Sequence, residues 1–144
     1  MNSVVKPIEE TTPESLYYAQ FELTKNGECT FTLMDQDGKA VPDNAIIVDT
    51  ATEKIDLVLE TVKATEAVWA KYFQWIDPNT GTSCSTPPGN ITFTWVKTLL
   101  VTLFDQNTTT KSTPEEFRFR MVVNYNGVIY ESKDPVIINK KPPE

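Results

Sequence analysis

Residues 117–138 read FRFRMVVNYNGVIYESKDPVII. Phe117, Phe119, Met121, Val123 and Tyr125 alternate with Arg118, Arg120 and Asn124. That period of two places the apolar set on one face of a strand, and only Val122 breaks it. Asn126-Gly127 follows, a dipeptide that readily takes the two positive-φ positions of a type I′ turn, so the chain is expected to reverse there. A two-residue loop sets Tyr125 against Val128, Val123 against Tyr130 and Met121 against Ser132, which keeps the large side chains on one face. A three-residue loop would set Met121 against Glu131 and bring a carboxylate onto the apolar face, a cost that helps specify the register. Asp134-Pro135 predicts a bend or a sheet edge before Val136-Ile137-Ile138 continues, because proline has no N–H to give a ladder.

Working outward, the same alternation recurs. Tyr17, Ala19, Phe21 and Leu23 lead into Lys25-Asn26-Gly27, and a three-residue loop with Gly27 left-handed pairs Leu23 with Cys29, Phe21 with Phe31 and Ala19 with Leu33. Asp35-Gln36-Asp37-Gly38 is read as an Asp-Gly turn, since its spacing does not fit a helix-flanked calcium loop. Short strands are expected at 45–48 and 55–59. Residues 65–76 suit either a helical face (Val68, Trp69, Tyr72, Phe73, Ile76) or an alternating strand (Trp69, Phe73, Trp75), and a sandwich context favours the strand. The stretch 77–89, dense in turn residues, is the longest loop. From Ile91 a long alternating segment is expected to run through Leu103 with a bend or bulge near Lys97-Thr98, and 105–114 reads as a Thr-rich connection. Residues 1–15 read as a flexible lead, 16–138 as one β domain and 139–144 as a Pro-rich tail.

Composition supports that pattern. The 144 residues suit a single domain with a real core, and 20 Thr, 13 Val and 9 Ile beside 15 aromatics favour strands, so the fold class is all-β. A net charge of −7 repels phosphate backbones and anionic membrane surfaces, which argues against nucleic-acid and membrane partners. The absence of histidine removes the usual Ser-His-Asp and Cys-His arrangements and the commonest metal ligand. Two cysteines, Cys29 and Cys84, are too few for a thiolate zinc site, and both are expected reduced. No metal or cofactor is expected. With no apolar leader or membrane-length apolar run, the chain reads as soluble and cytoplasmic.

Asp134-Pro135, Val136-Ile137-Ile138-Asn139 and Pro142-Pro143 resemble a family of bacterial proteins, the DP-EP family, although this chain holds no Glu-Pro dipeptide. The resemblance implies an immunoglobulin-like antiparallel β-sandwich and no established activity. The functional expectation is a non-catalytic binding or assembly module with a protein or carbohydrate ligand. Trp69, Trp75 and Trp95 with Tyr17, Tyr18 and Tyr72 are candidates for an aromatic platform, and solvent exposure decides whether they form one. Trp75, Asp77, Tyr130 and Asp134 are the candidate ligand-binding residues. Pairing of a free edge near Asp134-Pro135 with a second copy would give a homodimer. The alternative is a hydrolase acting on carbohydrate through carboxylates, with Asp77 beside Trp75 and Asp134 beside Tyr130 as its candidates.

Overall fold

A computed structural model describes residues 13–62, 66–110 and 112–142. Thirteen strands follow in chain order: β1 (Glu14–Leu23), β2 (Cys29–Met34), β3 (Ala45–Val48), β4 (Thr52–Val62), β5 (Val68–Trp69), β6 (Gln74–Ile76), β7 (Ser83–Cys84), β8 (Ile91–Lys97), β9 (Leu100–Gln106), β10 (Glu115–Arg120), β11 (Val122–Tyr125), β12 (Val128–Glu131) and β13 (Val136–Asn139). One 3-10 turn, Pro42–Asn44, is the only helical element among the described residues, none of which forms a helix long and apolar enough to cross a membrane. The fold is all-β and sandwich-like. Its larger sheets run β2-β1-β4-β9-β8 and β3-β13-β10-β6-β7, and β12-β11-β5 form a third, smaller one.

Both asparagine-glycine hairpins take the expected register. Tyr125 pairs with Val128 and Val123 with Tyr130 across a turn in which Asn126 and Gly127 have φ of 54° and 79°. Leu23 pairs with Cys29 and Phe21 with Phe31, with Gly27 at φ 79°. The break at Val122 marks a change of sheet: β10 pairs with β13 and β6, whereas β11 pairs with β12 and β5. Val122 is fully buried because the strand turns over at Met121.

Three expectations are corrected, and at Pro135 one of two alternatives is decided. The sheets are mixed, since β1 runs parallel to β4 and β13 parallel to β3, each pair being joined through crossovers instead of a hairpin. Pro135 stands at a bend and not at an edge, because β13 lies between β3 and β10 and the Pro135 carbonyl accepts the Phe119 amide. The segment from Ile91 to Leu103 is two strands, for the chain reverses at Thr98-Leu99 and pairs Phe93 with Leu103 and Trp95 with Val101, with a bulge between Trp95 and Lys97. Finally, Asp105 and Gln106 belong to β9, and Asn107 is buried as a clamp whose amide donates to the carbonyls of Val48 and Lys140. At the ends, β1 begins two residues inside the expected lead and Asn139 closes β13, while residues 1–12 and 143–144 lie outside the described residues. The stretch 65–76 is strand in two short pieces, β5 and β6.

Large side chains bind the sheets together. Phe73 sits between them, with its ring centroid 4.9 Å from Phe93 of β8 and 5.8 Å from Phe119 of β10, and Trp69 lies 5.1 Å away edge-on. The Trp69 indole donates to the Leu57 carbonyl, which satisfies the polar atom that burial would otherwise strand.

Candidate functional site

The expected site residues divide between two places. Trp75 and Asp77 line a small cavity of about 210 Å³ with Pro78, Cys84 and Pro88. Trp75 is 2% exposed and stacks on Phe119 at 4.8 Å, so it belongs to the core and offers no face to a sugar. Asp77 shapes a turn, its carboxylate accepting the Asn79 amide at 2.8 Å. Asp134 lines a second cavity of about 380 Å³ with Cys29, Phe31, Asn44, Glu131 and Lys133. There its carboxylate accepts from the Asn44 amide group at 3.0 Å, and its carbonyl accepts the Ser132 hydroxyl. Tyr130 packs on Phe21 with centroids 5.5 Å apart and does not line that cavity.

Both places serve the fold first. Asp43 and Asn44 hold successive left-handed conformations, and Asn44 stabilises them by bonding Asp134 on one side and accepting the Leu33 amide on the other. Cys29, half-buried here, has its thiol pushed above its ordinary value by burial, the opposite of what a nucleophilic cysteine needs. Both cysteines are free, and among the described residues no cluster of three or more His, Cys, Asp or Glu could hold a metal ion. Two of the platform candidates are withdrawn from solvent: Trp69 and Trp75 are buried, whereas Tyr17, Tyr18, Tyr72 and Trp95 are half-buried, with Lys71 5.0 Å over the Trp95 ring.

A larger opening than either lies elsewhere. A groove of about 440 Å³ runs over the outer face of β4, β9 and β8, lined by Lys54, Asp56, Thr92, Thr94, Val96, Leu100, Thr102 and Phe104. All are even-numbered because the pleat sends the odd-numbered Ile55, Leu57, Ile91, Val101 and Leu103 inward to the core. The Thr102 hydroxyl donates to Asp56 at 2.7 Å, which fixes the groove floor. Along one side runs β8, the terminal strand of its sheet, with no strand beyond it among the described residues. The phase of the ladder is set by the Gln106 amide donating to the Asn90 carbonyl, so Phe93 and Trp95 direct their backbone N–H and C=O away from β9. Val96 and Leu99, 47% and 42% exposed, mark the end of that edge.

Nothing in the apolar alternation singled out this face. The available signal was the polar half of the pattern, Thr92 and Thr94 between Ile91, Phe93 and Trp95, on a strand without Gly or Pro.

One pair of carboxylates escaped the sequence reading altogether. Glu53 and Asp105 are direct partners across β4 and β9 and are 8% and 0% exposed. Burial pushes Glu53 above its ordinary range, and burial pushes Asp105 up to about 6, with the charges of Glu53 and Glu115 adding to it. Neither lines any of the three cavities above. No family model and no curated protein matches the chain.

Proposed function

We propose that the protein is a non-catalytic binding module that takes an extended segment of a partner polypeptide along the free edge of β8. One observation carries the reading: a strand edge unpaired among the described residues runs beside the 440 Å³ groove, whose lining side chains alternate with the outward-directed amides. An added strand would lie about 4.8 Å beyond β8, exchange main-chain hydrogen bonds with Phe93 and Trp95, and set every second side chain beside Thr92, Thr94 and Val96. The apolar walls at Val96, Leu100 and Phe104 suit small apolar residues, and the threonine hydroxyls with Asp56 suit hydroxyl-bearing ones. The DP-EP resemblance implies no activity and adds nothing to this choice.

The test is selection from a library of displayed peptides, followed by amide chemical-shift mapping of the strongest binder. Bound peptide is expected to shift and protect the Phe93 and Trp95 amides, and binding is expected to be lost in a Thr94→Lys, Val96→Lys double variant. Peptides that shift only another edge, or that bind the double variant unchanged, would overturn the assignment.

A further inference from the structure

We infer that Asp105 carries a proton in the folded protein and closes a two-point carboxyl–amide pair with Asn139, a latch between the two larger sheets that opens as the proton leaves. Asp105 is the last but one residue of β9 in one sheet, Asn139 ends β13 in the other, and both are 0% exposed. The Asn139 Nδ2 donates to Asp105 Oδ1 at 3.1 Å. The remaining atom of each group, Asp105 Oδ2 and Asn139 Oδ1, is buried with no hydrogen-bond partner among the described residues. Both are acceptors, and buried acceptors are almost always satisfied. One hydrogen on Asp105 Oδ2 satisfies both groups at once, by donating to Asn139 Oδ1 across the ring that the first bond has begun.

The surroundings point the same way. Glu53 on β4 accepts the Ser15 hydroxyl, and Glu115 on β10 accepts the Thr109 hydroxyl, so each neighbouring carboxylate has a hydroxyl donor of its own. Among the described residues Asp105 has only the amide. The residues that face it from β8 and β13, Ile91 and Asn139, are neutral, Asp49 beyond β3 adds a negative charge near Glu53, and Lys140 next to Asn139 is exposed. Among the described residues the charges that act on Asp105 are both negative, those of Glu53 and Glu115. An ionised Asp105 would be a third anion in a closed space.

The direction of the pH effect follows from an acid whose proton is held more tightly when folded. The contribution to stability is complete below the ordinary value of 3.8, declines as pH rises from there, and is gone above about 6. That interval corresponds to about a hundredfold in the folding equilibrium.

Two measurements decide it. Titration of the Asp105 carboxyl carbon by NMR in the intact protein is expected to show a midpoint near 6, and a midpoint near 4 would overturn the latch. Asp105→Asn supplies a permanent donor in the same shape, so unfolding by urea is expected to show the variant gaining on the wild type by about tenfold in the folding equilibrium between pH 5 and pH 7.5. A variant weakened equally at both pH values would also overturn it.

Discussion

The outer edge of β8 and the buried end of β9 present the same chemical problem with opposite solutions. At the edge, Phe93 and Trp95 direct main-chain donors and acceptors outward, where water satisfies them and a partner strand can replace the water. At the buried end, Asp105 Oδ2 and Asn139 Oδ1 are shut off from bulk solvent, and in the latch an internal proton serves them. Unsatisfied groups are an invitation at the surface and a demand in the core. The two regions share a strand pair, β8 with β9, so changes at one are read most clearly against the other.

The largest effect is expected from Asn139→Leu. It removes the donor to Asp105 Oδ1 and leaves a buried carboxyl without its amide partner. A loss of about 1–3 kcal/mol is expected from the stranded group at pH 5, shrinking towards pH 8 because the latch that it removes has by then opened in the wild type. Urea unfolding across that range checks it. A deficit that stays constant with pH would show that Asp105 does not titrate there and would erase the contrast with the solvated edge.

Next comes Glu53→Gln, which keeps an acceptor for the Ser15 hydroxyl and removes a charge facing Asp105. Because Glu53 is raised by burial, its carboxyl favours the fold at low pH and opposes it as pH climbs through the folded value. The variant is expected to gain less than about 1 kcal/mol at pH 7.5 and nothing near pH 4. The Asp105 midpoint is expected to fall as well, because a neighbouring anion has gone. An unmoved midpoint would mean that the two carboxyls are not coupled.

How much of this could be read from residues depends on whether the determinant was local. Asn126-Gly127 and Asn26-Gly27 announce their own turns, since positive φ at Asn126, Gly127 and Gly27 favours so few residue types, and the pairings of Val123 with Tyr130 and Phe21 with Phe31 follow. The turn at Thr98-Leu99 carries no such mark. Its partners Phe93 with Leu103 and Trp95 with Val101 are odd-numbered on both sides, so the alternation crosses the reversal without a change of phase and one long strand looked equally good. The parallel pairs β1 with β4 and β3 with β13 are non-local and leave no trace in spacing. The same holds for the sites. Asp77 and Asp134 stood out because they sit beside aromatics and prolines in sequence, yet the structure uses both in turns and loops. Asp105 and Asn139 are 34 positions apart, and only the crossing of two sheets brings them together.

Val96→Lys probes the other side of the comparison and should be almost silent in stability. Val96 is 47% exposed at the bulge of β8, and its neighbours in the groove are Thr94 and Leu100. A lysine there keeps its stem on the apolar wall and its ammonium in water, so the change in unfolding free energy should stay within about 0.5 kcal/mol at any pH. Strand addition should suffer far more, because a charged side chain projecting from an edge opposes the approach of another strand. The selected peptide is therefore expected to lose binding while the urea midpoint and the Asp105 titration are unchanged. A stability loss above about 1 kcal/mol would place Val96 in the packing of the sheet instead, since surface substitutions rarely cost that much. The groove would then be part of how the fold holds itself, and the edge of β8 would have to bind through its backbone alone.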